Sequence, residues 1–560
     1  MAKMVKKKKK GIRGRSFSSG SSSVETSPLR PVHVPKMAPC GKNCPNHNHI
    51  RKALMTVQKA EAYEVPYDKA IEDAAMIFLE TTPFPSTCGR VCPHPCETNC
   101  NRNALEGPVG INAFERFLGD YALEKGLKPT MLSEEKRSEK IAIIGSGPAG
   151  MSCAYHLARR GYGVTVFEAF PKSGGMLRYG IPDYRLPQDI LDKEMQRIID
   201  MGVEMKLNTI VGKDIMMDDL RKEYKSIFVG LGAHKGLNLR VEGEDAENVW
   251  TGTDFLHKIN MGEKVDVGDH VVVIGGGDTA IDAARVARRL GAKATILYRR
   301  TREEMPAIDE EIEGALEEDV DIQYLAAPLS INVENGKATG MKCQRMELGE
   351  PDDSGRRRPV PIEGDTFDLQ FSTLIAAISQ APDFTGFENL IEGRDWIKIN
   401  ENFETKESGV FSGGDNINLD IAITAIAHGR MSAAAIHAGI TAQEIIQPEK
   451  KPLIVFDKMY LAYYQHQDRT EIKHLPVAER MDSLDKEIIS TWSQDEAITE
   501  SKRCMSCGEC FDCGNCWSLC QDNAIKKPLE HGDKYTFKME FCNGCKKCAE
   551  NCPCGYIEMH

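Results

Sequence analysis

A multidomain α/β chain is predicted by three features of this 560-residue sequence. Two strand–glycine-turn–helix units, at residues 141–150 and 271–280, read as Rossmann-like dinucleotide-binding cores. Six cysteines from Cys40 to Cys100 lie among helical patterns, which predicts a helical metal-binding unit ahead of them. Eleven of the nineteen cysteines fall in the last sixty residues, eight of them in two C-x2-C-x2-C-x3-C runs. That is the ferredoxin-type spacing for a pair of [4Fe-4S] cubes, where three cysteines of a run serve one cube and the fourth crosses to the other.

In chain order the expected units are a basic disordered arm (1–37), a helical Fe-S domain (38–138) and the first part of a dinucleotide domain (139–250). A second dinucleotide domain (251–365), the return to the first (366–448), a helical linker (449–500) and a ferredoxin-like domain (501–560) follow. The arm carries Lys3, Lys6 to Lys10, Arg13 and Arg15 without an acid, then a serine- and glycine-rich stretch, a composition that cannot bury a core. It reads as a solvated tail or as an arm for an acidic partner protein.

The bulk composition, 41% hydrophobic and 28% charged, is that of a soluble globular protein. A net charge of −12 argues against general nucleic-acid affinity. No apolar run approaches the roughly 18 residues of a membrane span. Clustered C-x2-C and C-x3-C spacings read as metal ligands rather than disulfides, and no apolar stretch follows the basic N-terminus, so a reducing cytoplasm is expected.

In the first unit Gly145, Gly147 and Gly150 permit a tight turn, close backbone approach to a pyrophosphate and close helix packing. Glu168, about twenty residues on, can accept from a ribose hydroxyl. Gly413, Gly414 and Asp415, after another apolar strand, are expected to complete that site, and Ser173 to Met176 to cover its ring system. The second unit reads Gly275, Gly276, Gly277, Asp278, Thr279 and Ala280. Its second strand ends not in an acid but in Tyr298, Arg299 and Arg300. Guanidinium groups there favour a 2′-phosphate, hence NADP(H) over NAD(H), through forked charge-assisted hydrogen bonds.

The stretches CGRVCPHPCETNC, GSGPAG, GGMLRYGIPDYRLP, GGGDTAID, YRRTREEMPA and FSGGDN, in this order, resemble the glutamate synthase small-subunit family of iron–sulfur flavoproteins over about residues 38–440. The resemblance implies FAD held by Gly145, Gly147, Pro148, Ala149, Gly150, Glu168, Gly175, Met176, Leu177, Gly414, Asp415 and Thr424. It implies NADP(H) at Gly275 to Ala280 with Arg299 and Arg300, and N-terminal [4Fe-4S] ligation. By motif position Cys44, Cys92, Cys96 and Glu115 would hold one cluster. Cys40 and Cys100 match ligands of another that lacks its remaining two, unless Cys88 supplies one; one N-terminal cluster is therefore expected and the second left open. At the other end Cys510, Cys513, Cys516, Cys520, Cys542, Cys545, Cys548 and Cys552 form the two runs. Cys504 and Cys507 extend the beat upstream as competing ligands, Cys554 is a spare, and Cys153 and Cys343 are small buried hydrophobes. His47, His49 and His94, near the N-terminal cysteines, are expected to be ordinary histidines rather than ligands.

The added cysteine tail and the basic arm are similar to the DsrL-type branch, which implies a dissimilatory sulfite reductase as redox partner in sulfur metabolism. The expectation is an NAD(P)H oxidoreductase whose flavin and clusters carry electrons to or from a protein. The alternatives are a glutamate synthase small subunit or another NADPH–ferredoxin-type flavoprotein, and a non-catalytic electron-wiring subunit. Direction of flow and oligomeric state, a homodimer included, stay open.

Overall fold

The computed structural model describes residues 26–353, 355–391, 396–445 and 450–560. The basic arm of residues 1–25 lies outside the described residues. Two parallel five-stranded sheets form the centre. The first runs Val410–Ser412, Ser226–Val229, Lys140–Ile144, Gly163–Phe167, Glu204–Lys206. The second runs Asp321–Tyr324, Lys293–Tyr298, His270–Ile274, Thr373–Ala376, Val249–Thr251. Their central strands are buried apolar runs, as strands covered on both faces must be. Thr373–Ala376 pairs with His270–Ile274, so the second unit continues past residue 365, where the sequence boundary was expected. The chain re-enters the first sheet only at Val410. A three-stranded antiparallel sheet (Ala326–Glu334, Lys337–Pro351, Arg357–Gln370) projects from the second unit.

The helix Pro148–Ala158 starts at the end of the first strand and packs against the long helix Ala422–Thr441. Small residues allow it: a Cβ on Gly429 would stand 2.1 Å from the Ala149 carbonyl oxygen. The N-terminal helices meet equally closely. A Cβ on Gly89, in Pro85–Val91, would lie 2.4 Å from the Arg116 backbone, and one on Gly119 would lie 2.2 Å from the Ser86 nitrogen. This brings Cys88 and Glu115, on the two helices, into one interior.

Residues 450–500 are not the helical linker expected. Among the described residues they hold two short turns, at Phe456–Lys458 and Leu461–Tyr463, and the helices Val477–Arg480 and Gln494–Ser501, the last running one residue past the segment. Pro452 and Pro476 lack the amide a helix interior needs, and the segment's side chains are spent on the N-terminal domain. Glu487 accepts from Arg90 at 2.7 Å and pairs with Arg116 at 2.8 Å, Arg469 reaches Glu97 at 2.6 Å, and Trp492 is buried beneath Gly110.

Residues 26–37, expected to be part of the arm, are a second strap. Pro31–His33 pairs antiparallel with Ile557–Met559, joining the two ends of the described chain. Ser27 N donates to Asn543 O at 3.0 Å, Lys36 N to Gly508 O at 2.8 Å, and Met37 N to Pro452 O at 2.8 Å. No helix of the described residues is long and apolar enough to cross a membrane.

Gly89→Ala forces the two N-terminal helices apart and should lower stability against urea by about 1–3 kcal/mol or more, the range for overpacking. Gly439→Ala, where nothing lies within 4 Å of the new Cβ, should leave it unchanged or slightly higher. Denaturation followed by circular dichroism compares the two.

Candidate functional site

The first strand ends at Ile144 and the helix Pro148–Ala158 begins one tight turn later. Gly145 makes that turn at φ 93°, its missing Cβ leaving 2.2 Å to the Gly230 carbonyl oxygen. The second unit repeats this: a Cβ on Gly275 would stand 2.2 Å from the Ala377 oxygen. In both cases only glycine lets the turn lie against the neighbouring strand's exit, and the helix N-terminus then faces open space suited to a diphosphate.

Around the first turn is a cavity of about 840 Å³ lined by Gly145, Gly147, Pro148, Ala149, Glu168, Gly175, Met176, Leu177, Gly414 and Asp415, all expected there. Gly150 lies behind it, against the Gly145 carbonyl, and Thr424 sits on the first turn of Ala422–Thr441 outside the lining. Glu168 is held rigidly, one oxygen taking the backbone N–H (2.8 Å) and hydroxyl of Ser146, the other the Phe170 N–H at 2.9 Å. Burial raises the Asp415 carboxyl to about 6, against a hydrogen bond from the Asp420 backbone N–H that holds it down. Phe170, Tyr179 and His257 cluster beside this cavity, Tyr179 and His257 stacked 4.7 Å apart and Phe170 tilted against Tyr179.

A second cavity, about 600 Å³, is lined by Gly275, Gly276, Gly277, Thr279, Arg299 and Arg300. Ala280 is buried beneath it, and Asp278 turns instead into the first cavity's wall while accepting from Ile308 N at 3.0 Å. The two arginines differ. Arg300 is buried, donating to the Arg357 carbonyl and paired with Asp352 at 2.7 Å. Arg299 is exposed and, among the described residues, has no side-chain partner. Of the two, only Arg299 therefore has a side chain left open to the cavity. Thr279, Gln380, Asp415 and Asp420 line both cavities, so the two open onto each other.

Sixteen of the nineteen cysteines sort into four groups. Cys510, Cys513, Cys516 and Cys552, with Cys554 beside them, line one small cavity; Cys520, Cys542, Cys545 and Cys548 line another. The fourth cysteine of each run has thus crossed to the other set. Each crossing sulfur accepts the backbone N–H four residues on, Ala524 at 3.3 Å and Tyr556 at 3.2 Å. Cys554 Sγ lies 3.8 Å from Cys552 Sγ. In the N-terminal domain Cys44, Cys92 and Cys96 all lie within charge range of Glu115, and Cys92 and Cys96 within range of Cys44. Cys88 belongs to this group, beside Cys92, Cys44 and Glu115, and not with Cys40 and Cys100, where it was considered as a substitute ligand. Burial and the nearby Glu194 push Glu115 up to about 8.

Cys40 lies instead beside Cys100, Cys504 and Cys507. Sequence reasoning saw Cys504 and Cys507 only as competitors for the ferredoxin sites; the clue was that two ligands were missing at one end and two spare at the other. All of these thiols are free, and burial is the first cause raising Cys40, Cys44, Cys504 and Cys507. Such groups become thiolates only against a cation, which iron supplies, so the donor sets fit iron–sulfur cubes. Among the described residues no three His, Cys, Asp or Glu side chains close on a single-ion point. The sets are wider, as ligands to four separate irons of a cube must be. His47 Nδ1 and His94 Nδ1 lie at hydrogen-bonding distance, 2.9 and 3.3 Å, from the Gly41 and Cys92 carbonyl oxygens, supporting loop backbone.

Comparison with known proteins bears on the whole assembly. The pyridine nucleotide-disulphide oxidoreductase family matches residues 139–429, and the dihydropyrimidine dehydrogenase domain II, 4Fe-4S cluster family matches residues 32–127. The chain is 35% identical over 512 residues to the NADPH-Fe(3+) oxidoreductase subunit beta of Geobacter sulfurreducens, covering 84% of this chain and 75% of that protein. It is 36% identical over 507 residues to the NADP(+)-dependent formate dehydrogenase subunit beta of Moorella thermoacetica (84% and 70% covered). The glutamate synthase [NADPH] small chain of Escherichia coli is 36% identical over 426 residues, 71% of this chain and 87% of that one.

Arg299→Ala should raise KM for NADPH by about 10–100-fold, the loss of one or two hydrogen bonds to a charged group, and leave KM for NADH nearly unchanged. Steady-state kinetics with both nucleotides decides; equal effects on both would remove Arg299 from phosphate recognition.

Proposed function

This chain belongs to the pyridine nucleotide-disulphide oxidoreductase family, and from that premise we propose that it exchanges electrons between NADPH and a protein partner. It is an FAD- and iron–sulfur-dependent oxidoreductase of the kind formed by glutamate synthase small chains. When bound, a flavin exchanges a hydride with nicotinamide and single electrons with iron–sulfur cubes. The residues of this chain supply position. Glu168 and the 145–150 turn anchor a ribose and diphosphate, Arg299 selects the nucleotide, and Thr279, Gln380, Asp415 and Asp420 line the junction where two ring systems would meet. Val91 and Pro93 form part of the flavin cavity's wall, and Cys92 sits between them in sequence. That adjacency of nucleotide cavity and cysteine set is the observation that carries the reading.

For the partner we propose dissimilatory sulfite reductase subunits. The support is the cysteine-rich tail and basic arm, together with relatives that are themselves beta subunits and match 84% of this chain. The second reading, a glutamate synthase small subunit, draws on the 87% coverage of that relative, which however aligns with only 71% of this chain.

Anaerobically reconstituted protein with flavin bound should oxidise NADPH with a viologen or ferricyanide acceptor. Absence of turnover with NADPH and NADH alike would sink the oxidoreductase reading. Affinity purification from the native cell under anaerobic conditions should co-elute sulfite reductase subunits; a glutamate synthase large subunit in their place transfers the assignment to the second reading.

A further inference from the structure

Once the sets above are filled, Cys40 and Cys100 are left over at one end of the chain and Cys504, Cys507 and Cys554 at the other, and the fold brings the first four together. Cys40 closes the first turn of the short helix Pro39–Asn43, and Cys100 follows the helix Pro95–Thr98, which packs against it. Cys504 and Cys507 arrive from more than four hundred residues later. Their approach is built, not incidental. Arg503, wholly buried, donates to the carbonyls of Gly107 (2.9 Å) and Pro108 (2.8 Å), and Arg102 returns a bond to the Arg503 carbonyl at 3.3 Å. Gln58 donates to the carbonyls of Lys502 (2.8 Å) and Cys504 (3.0 Å). Lys36 N binds Gly508 O from the other side.

The backbone of this Cys504–Cys507 loop repeats that of the ferredoxin runs. In Cys510–Cys513 and Cys542–Cys545 the residues just before and just after the second cysteine have positive φ: Asp512 (57°) and Gly514 (79°), Gly544 (75°) and Lys546 (65°). Around Cys507 they are Ser506 (46°) and Gly508 (78°). Positive φ is uncommon for a serine. The shape wraps two sulfurs around one side of a cube and turns backbone amides toward them, and here the Ser506 amide and the Asn101 side chain face Cys504 and Cys507. The Arg51 guanidinium, itself paired with Glu509, also lies within charge range of Cys40, Cys504 and Cys507.

Resting on the cluster-carrying reading above, we infer that Cys40, Cys100, Cys504 and Cys507 together hold a further [4Fe-4S] cube, ligated jointly by the N-terminal domain and the C-terminal tail. One thiolate is supplied to each iron, four ligands for four irons, so the set needs no outside donor. Its place is between two others. Cys44 caps the helix that holds Cys40, its N–H bonded to the Cys40 carbonyl, and Cys100 lies just past the short helix that holds Cys96, which sets it beside the flavin-side group. Tyr464 lies within charge range of Cys504 and Cys507 on one side and of Cys513 and Cys554 on the other, which sets it beside the ferredoxin module. One electron taken up there reduces one Fe³⁺ to Fe²⁺ and leaves by the reverse change.

The test is iron, acid-labile sulfide and flavin per chain in anaerobically reconstituted full-length protein. Four cubes require about sixteen irons per flavin, and Cys504→Ser/Cys507→Ser or Cys40→Ser should each retain about twelve with flavin unchanged. Cys343→Ser, in the antiparallel sheet, should keep all sixteen. Equal iron in the wild type and the Cys504/Cys507 variant, or a fully reconstituted wild type with only about twelve, overturns the assignment; the second result needs no variant to fold. NADPH oxidation in the same samples reports separately on the oxidoreductase reading, since iron content does not depend on turnover.

Discussion

The fastening of the two ends of the described chain to each other is the constraint on which this structure depends. Pro31–His33 pairs with Ile557–Met559, and Ser27, Lys36 and Met37 make backbone bonds to the tail and to the strap before it. Without that closure the ferredoxin-like module would hang from residue 500 as a tethered domain, and single-electron transfer would wait on chance encounters. With it, Gly508 and Gly544 are pressed against Lys36 and Ser27, on either side of the N-terminal strand, so closely that no Cβ fits, at 2.7 and 2.3 Å from their atoms. The module is a fixed part of the molecule.

The strap from 450 to 500 does the same work by different means. Its ties to the N-terminal domain are ion pairs, two of them buried on the arginine side: Arg90 and Arg116 to Glu487, with Arg469 to Glu97 beside them. A buried pair of this sort adds little net stability against an apolar contact, but losing one partner is costly, so it enforces one register rather than many. Register is what a ligand set drawn from distant segments demands. A thiolate displaced by an ångström or two no longer reaches its iron.

Much of the architecture was legible in the sequence for a local reason. A glycine turn between a β run and a helix, or a cysteine beat of three, is decided within a dozen residues, and Gly145, Gly275 and the crossing of Cys520 and Cys552 stand where those patterns placed them. What escaped was long-range. Arg300 has the same sequence context as Arg299, but Asp352 and the Arg357 carbonyl, more than fifty residues on, take it out of the nucleotide site. Thr373–Ala376 inserts beside a strand a hundred residues earlier, which moves a domain boundary that composition cannot mark. Residues 450–500 lack a strong apolar period because their burial is supplied by side-chain ties. Cys504 and Cys507 looked redundant because their partners, Cys40 and Cys100, lie in another domain.

The central claim is that the nucleotide cavities and the C-terminal cysteine sets belong to one electron path. Flavin-loaded, cluster-reconstituted protein would be rapidly frozen and examined by electron paramagnetic resonance after two mixings, oxidised protein with NADPH and dithionite-reduced protein with NADP+. Whatever the cluster potentials, the account predicts that the C-terminal signals change within a turnover in one of the two mixings. Signals that answer to dithionite yet stay unmoved by nucleotide in both would contradict it.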